Sequence, residues 1–94
     1  MRRAAVEIAE AVKWWRANRA DAPDVLTREI ARAFKLIRSQ PRIGALARNA
    51  ALPGVRRVYL GRVRYHLYYR LTSAPEAVEV LAFWHTSRGT GPSL

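Results

Sequence analysis

The chain has 94 residues, and its 17 lysines and arginines outnumber its seven aspartates and glutamates, giving a formal net charge of +10. Half of the residues are apolar and none is cysteine. We therefore expect one small globular domain over residues 1–94, without disulfides, cysteine-based zinc sites or thiol catalysis. No apolar run approaches the roughly 20 residues of a membrane span, and the first residues lack the apolar core of a signal peptide. These features favour a cytoplasmic protein with no membrane partner.

The basic residues are nearly all arginines, and the planar guanidinium group suits bidentate contacts with phosphates and carboxylates. A charge of this size and kind fits two classes of partner, nucleic acid or an acidic protein. A solvated basic surface that binds nothing is the alternative interpretation.

The first predicted helix covers residues 2–19, where apolar side chains recur at helical spacing. Trp14 and Trp15 are adjacent, and helix geometry separates their side chains by about 100°. One of the two should therefore be buried and the other should lie at the rim. The apolar stripe consists of Ala5, Ile8, Val12 and Trp15.

A second helix is predicted over residues 23–39. Asp21 can cap its first turn, and Pro23 is tolerated there because its missing N–H is not needed. Pro41 disfavours helical geometry in the preceding residue, so the helix should end near residue 40. Its apolar face consists of Leu26, Ile30, Ala33 and Ile37. The two helices should form a helical hairpin.

Three strands are predicted, over residues 55–60, 64–71 and 78–85, after a loop at 41–54. The middle strand alternates between an apolar face and a basic, aromatic face: Tyr65, Leu67, Tyr69 and Leu71, against Arg64, His66, Tyr68 and Arg70. Helices followed by strands indicate an α+β fold, with the helical hairpin packed on one face of a small twisted antiparallel sheet. The other face should stay open, and the tail from residue 88 should be loose.

The open basic face is the first candidate site. Histidine can act as acid or base near neutral pH, arginine can hold phosphate, and tyrosine can stack on bases. Such a set could bind RNA and cleave it by attack of a 2′-hydroxyl, without a metal. The alternative is that both histidines are ordinary strand residues. The residues concerned are Arg57, Tyr59, Arg64, His66, Tyr68 and Arg70, with His85 and Arg88 from the last strand and its end.

Two further positions have structural interpretations. Arg56 should point toward the helices and pair with a carboxylate such as that of Glu7, Glu10 or Glu29. Trp84 should be a core residue or an anchor for a partner.

Phosphate-binding glycine loops, nucleophile elbows and histidine pairs with metal-ligand spacing are absent from the sequence, so we expect no metal and no cofactor.

The order of these motifs resembles that of the RelE/ParE superfamily of type II toxin–antitoxin toxins, and the tryptophan region is similar to the ParE-like branch. The motifs that carry the resemblance are Pro41-x-x-Gly44, Gly54-Val-Arg-Arg57, Arg64-Tyr-His-Leu-Tyr-Tyr-Arg70, Val78–His85 with Arg88-Gly89, and Trp14-Trp15 with Asn18-Arg19 and Ala22-Pro23. The resemblance implies a small α+β fold and a cognate acidic antitoxin. It also implies one of two targets, DNA gyrase or the ribosome with its mRNA.

Matching this chain to the RelE-like ribonuclease set gives a poor fit. Arg57 keeps one basic position, His66 falls where an arginine is usual, and Tyr59 replaces a lysine. Thr86 stands at a further expected arginine, and the C-terminal tyrosine position falls near Pro92. The resemblance therefore favours a ParE-like gyrase inhibitor. A ribosome-dependent endonuclease using His66, His85 and Arg88, or an inactive binding module, are the alternatives.

The resemblance also gives expectations about partners. The residues expected to bind the antitoxin are Trp14, Trp15, Trp84, Arg28 and Arg32, and those expected to bind target or nucleic acid are Arg57, Tyr59, Arg64, Tyr68 and Arg70. Family members usually begin with a short strand, for which the stretch before the first helix is too short. The missing strand should expose a sheet edge, which favours a homodimer or a heterotetramer with the antitoxin.

Overall fold

The computed structural model describes residues 2–48 and 50–94. Within them, two helices precede an antiparallel sheet with the strand order β1-β2-β3-β4, which confirms the predicted α+β class. The elements are α1 (Arg2–Asn18), α2 (Val25–Ser39), β1 (Ala45–Leu46), β2 (Arg56–Leu60), β3 (Tyr65–Ser73) and β4 (Glu76–His85), followed by a 3₁₀ turn at Thr86–Arg88.

The helical hairpin covers one face of the sheet, hereafter the helix face. The predicted apolar face of α2 is buried along its whole length, with Leu26 and Ile37 at most 2 % exposed. These side chains pack against Leu67, Tyr69 and Phe83 of the sheet in one continuous core. Burial of the apolar stripe, rather than helix propensity, accounts for most of the stability of helices this short.

The start of α2 differs from the prediction. The helix begins at Val25, its N-cap residue is Asp24, and the side chain of Asp24 makes no capping hydrogen bond. Asp21 and Pro23 lie in the connection that precedes the helix. Packing therefore sets the start of this helix, in place of the local capping signal.

The strand boundaries also differ from the prediction. The loop expected at 41–54 contains the two-residue strand β1, which pairs with Arg56 and Arg57 of β2. Arg64 lies in the β2–β3 turn with a φ of 63°, outside strand β3. The second hairpin turn is short, with only Ala74 and Pro75 between the two strands.

The opposite face of the sheet, hereafter the far face, is not open as expected. The Tyr68 ring is only 5 % exposed and lies in a second core cluster with Val55, Leu81 and Ala82. The segment after β1 and the last residue of the chain, Leu94, pack against this cluster. The part of the far face beside β2 and the start of β3 remains accessible, and Arg70 farther along β3 is partly exposed.

The C-terminal tail is held in place, so the expectation of a loose tail is wrong. The backbone N–H of Leu52 donates to the carbonyl oxygen of Leu94 at 3.0 Å. The Trp84 indole N–H donates to the Thr90 carbonyl oxygen at 2.9 Å, and Arg3 donates to that of Ser93 at 2.9 Å. The tail thus joins α1, β4 and the loop before β2.

Helix α1 also contacts the outer strand β4. The Glu7 carboxylate accepts a hydrogen bond from the Phe83 backbone N–H at 3.0 Å and is 3.5 Å from the Arg3 guanidinium. Phe83 lies in the end strand of the sheet, where a backbone N–H that points outward has no strand to pair with. The Glu7 side chain therefore satisfies part of the sheet edge.

Replacing Glu7 with alanine should lower the free energy of unfolding by about 1–3 kcal/mol, because it leaves the half-buried Phe83 N–H without an acceptor. Urea denaturation measures the difference. Glu10→Ala is the matched control, because Glu10 is exposed on the same helix. Equal destabilisation by the two substitutions would show that the Glu7–Phe83 contact contributes nothing specific.

Candidate functional site

The accessible part of the far face carries three of the predicted site residues together. The register pairs Tyr59 with His66 and places Arg57 one position along on the same face, opposite Tyr68. The rings of Tyr59 and His66 are 5.1 Å apart, and the Tyr59 side chain is 54 % exposed. This group, Arg57, Tyr59 and His66, offers one cation, one exposed aromatic ring and one titratable imidazole.

The imidazole of His66 is shifted toward its neutral form. Burial lowers the pKa of His66 below its ordinary value of 6.5, and the nearby Arg57 guanidinium lowers that pKa further. At neutral pH this side chain is therefore an uncharged hydrogen-bonding group, better suited to accept a proton than to hold a phosphate.

The lowered pKa of His66 predicts a pH dependence of stability. Just below pH 6.5 the unfolded chain binds more protons at this position than the folded chain does. The free energy of unfolding should therefore have its full value above that pH and should fall as the pH drops through the pKa of His66 in the folded state. Urea midpoints measured across this range should decline more in the parent than in His66→Gln. Identical pH profiles would contradict the shift, and NMR titration of the ring tests it directly.

His85 does not join this group, contrary to the prediction. It pairs with Tyr65 on the helix face, where the two rings meet edge to face at 4.8 Å. Its Nδ1 accepts a hydrogen bond from the Ser87 N–H at 3.1 Å and lies 2.8 Å from Ser87 Oγ. The two histidines therefore lie on opposite faces of the sheet and cannot contact the same phosphodiester as acid and base.

A β-bulge is the physical reason for this separation. The register between β3 and β4 shifts at Tyr68/Tyr69, so Leu81 of β4 is an extra residue without a partner. An extra residue inverts the alternation of side chains for the rest of the strand. Phe83 and His85 consequently reach the helix face, and Trp84 reaches the far face.

Arg88 also lies apart from this group, because it packs on Trp84. Its guanidinium carbon lies 3.5 Å from the centroid of the Trp84 ring, which places the cation on the aromatic face. The proposed ribonuclease set of His66, His85 and Arg88 is thus distributed over both faces and one end of β4.

Three further residues expected on an open basic face have different surroundings. Arg64 lies in the β2–β3 turn, Tyr68 is buried, and Arg70 forms a 2.7 Å ion pair with Glu79 across the β3–β4 ladder. Tyr68 is therefore closed to stacking by the loop and tail that cover it, and Arg70 is neutralised by its partner.

Arg56 lies on the helix side as expected but not with a carboxylate. Its Nη1 donates to the carbonyl oxygens of Gly44 at 2.8 Å and Arg42 at 3.3 Å. The predicted ion pair with Glu7, Glu10 or Glu29 is wrong, since the guanidinium instead fixes the loop between α2 and β1. The structural role expected for Arg56 is retained.

The tryptophan pair behaves as predicted. Trp14 is 50 % exposed, whereas Trp15 packs on the helix-face core and its indole N–H donates to the Ala22 carbonyl oxygen at 2.8 Å. Arg28 and Arg32 are exposed on α2. The five residues expected to bind an antitoxin do not share one face, because Trp84 lies on the far face of the sheet.

Sequence reasoning missed a basic cleft on the helix side, where α1 ends beside the β2–β3 turn. The cleft has a volume of about 600 Å³ and combines Trp14 of α1 and Arg19, which follows the helix, with Arg62 and Arg64 of the turn. Tyr65 and His85 also line it. The sequence does not indicate that Arg19 and Arg62 lie close together, because their proximity depends on how α1 packs against the sheet.

The architecture, a helical hairpin on a small antiparallel sheet, is consistent with the fold of RelE/ParE toxins. The family model described as "ParE toxin of type II toxin-antitoxin system, parDE" matches residues 1–89. The chain belongs to this family and is a type II toxin–antitoxin toxin, which confirms the resemblance. Comparison with curated proteins and with solved structures gave no significant match. In the described residues, neither helix has the length and hydropathy needed to cross a bilayer.

Proposed function

We propose that this toxin acts in the cytoplasm by inhibiting DNA gyrase through protein–protein contact, and that a cognate acidic antitoxin neutralises it. The observation that carries the proposal is the placement of His66 and His85 on opposite faces of the sheet. Without a paired acid and base, binding accounts for the surface better than RNA cleavage does. The +10 charge supports attraction to an acidic antitoxin.

A RelE-like ribonuclease is the second candidate, because Arg57, Tyr59 and His66 remain together on the far face. In that case His66 would act as the base and Arg57 would hold the phosphate, with no metal involved. A 2′-deoxy substitution at the cut site would abolish cleavage if the 2′-hydroxyl is the nucleophile.

Expression of the chain alone, with and without the neighbouring gene, separates these functions. Gyrase inhibition should cause filamentation with DNA-damage signalling, and the neighbouring gene should rescue growth. Rapid arrest of protein synthesis without filamentation would favour the ribonuclease. Normal growth with good soluble expression would contradict both and favour an inactive toxin-fold module.

We also propose that strand β4 is the edge to which an antitoxin segment or a second copy adds. Its first residues, Glu76 to Val78, are exposed, and Val78 is 39 % accessible. Light scattering tests the homodimer, and a monodisperse monomer at high concentration would contradict it.

A further inference from the structure

The cleft at the end of α1 is the strongest feature that the proposed function leaves unused. Three arginines line it, Arg19 from the helix end and Arg62 and Arg64 from the β2–β3 turn. Within residues 2–48 and 50–94, none of the three forms an ion pair with a carboxylate. An arrangement of three unpaired cations in one concave site favours an anion with several oxygen acceptors.

The positions of these arginines suit such a ligand. Arg64 holds a φ of 63°, a conformation that a residue with a β-carbon adopts only at a cost. The Arg19 guanidinium lies 5.4 Å from the Trp14 ring and 5.8 Å from the Trp15 ring, so its stem is held against the helix. The contact with the two indole rings therefore partly positions the Arg19 cation before any ligand arrives.

The cleft also contains an exposed aromatic ring, that of Trp14, and hydrogen-bond donors from Trp14 and His85. The Trp14 ring is half exposed, and its indole N–H has no acceptor in the described part of the chain. Because the Nδ1 of His85 accepts the Ser87 N–H, a neutral imidazole carries its proton on Nε2. An aromatic platform beside arginines is the combination that binds nucleotides by stacking and phosphate contact.

We propose that this cleft binds a nucleoside phosphate, either free or at an end or link of a single strand. The arginines would hold the phosphate, and Trp14 would stack on the base. An acidic protein segment is the competing ligand, but it would use the cations without needing an exposed ring at their side. The proposal is independent of gyrase inhibition, since it concerns the helix side of the molecule.

Indole N–H signals in ¹⁵N-correlated NMR spectra test the proposal. Trp15 and Trp84 donate to backbone carbonyl oxygens, whereas Trp14 is free in the cleft. Adenosine monophosphate and a 5′-phosphorylated tetrathymidine should shift the Trp14 signal and leave that of Trp84 unchanged. Adenosine or inorganic phosphate alone should bind more weakly. A preference for the mononucleotide over the tetramer would indicate a free nucleotide, and the reverse preference a strand.

The double substitution Arg62→Gln with Arg64→Gln should raise the Kd for adenosine monophosphate about tenfold or more. Lys35→Gln with Arg38→Gln removes the same charge from exposed positions of α2 and should leave the Kd within about twofold, because these charges lie outside the cleft. Arg62→Gln alone serves if the double variant fails to fold, as its spectrum would reveal.

Three outcomes would overturn the proposal. The Trp14 signal could stay fixed at saturating nucleotide, or the two double variants could weaken binding equally, which would mean diffuse charge attraction. A glutamate-rich peptide could instead shift Trp14 where adenosine monophosphate does not, which would assign the cleft to an acidic protein.

Discussion

Replacing Gly44 with alanine is expected to lower the free energy of unfolding by about 3 kcal/mol or more, the sum of overpacking and lost hydrogen bonds. A β-carbon at this position would lie 2.8 Å from the Tyr69 hydroxyl oxygen and 2.9 Å from the Arg57 carbonyl oxygen. The second of these atoms belongs to the backbone of β2 and cannot rotate away. The loop after α2 would have to leave the sheet.

The close approach of the Gly44 loop to the sheet allows the Tyr69 hydroxyl to form two hydrogen bonds. The side chain is fully buried, its hydroxyl donates to the Pro41 carbonyl oxygen at 2.7 Å, and it accepts the Gly44 N–H at 3.0 Å. Displacing the loop breaks both bonds and leaves a buried hydroxyl unpaired.

Gly61→Ala is the matched control for Gly44→Ala. A β-carbon there would lie 3.4 Å from the nearest atom of the Tyr59 ring, close to an ordinary contact distance. We expect this control to change stability by no more than about 0.5 kcal/mol. Chemical denaturation of both variants would contradict the packing account if Gly44→Ala proved as stable as Gly61→Ala.

Ending the chain at Gly89 is expected to cost about 3 kcal/mol, roughly one for each of three hydrogen bonds that the tail makes. These bonds involve the carbonyl oxygens of Thr90, Ser93 and Leu94, and the Leu94 side chain also packs on the far-face cluster. The tail lies beyond the residues that the family model matches. Its removal should expose the ring of Tyr68 to solvent.

Denaturation and quenching of tyrosine and tryptophan fluorescence measure these two effects. Ser93→Ala is the matched control, because Ser93 contributes its backbone carbonyl and no side-chain hydrogen bond. Unchanged stability of the chain that ends at Gly89 would show that the tail only rests on the surface.

Helix α2 and strand β3 could be predicted because each carries one unbroken period of apolar side chains. Leu26, Ile30, Ala33 and Ile37 of α2 and Leu67 with Tyr69 of β3 are buried where the period puts them. Strand β1 could not be predicted in this way. It has two exposed residues, and only its pairing with β2 defines it.

The candidate site was less predictable because the period fails inside β4. Val78 and Val80 lie on the helix face, and simple alternation counted from them would place His85 on the far face with His66. The unpaired Leu81 inverts that alternation, and no local residue signal marks the bulge. The covering of Tyr68 depends in the same way on long-range contacts of the tail. Charge and residue type indicated a basic surface, but tertiary packing divided it into a far-face group and a helix-side cleft.

Inhibition of gyrase supercoiling by the purified protein, compared with that by His66→Ala/His85→Ala, tests the central claim most directly. We predict that the parent inhibits supercoiling and that the double variant inhibits it within about threefold, since a binding surface needs no acid–base pair. We also predict that neither protein cleaves ribosome-bound mRNA. The contrary result has two parts: the parent protein leaves supercoiling unaffected, and it cleaves ribosome-bound mRNA at a rate that falls by about 10²–10⁴-fold in the double variant. That result would contradict the account and establish a nuclease.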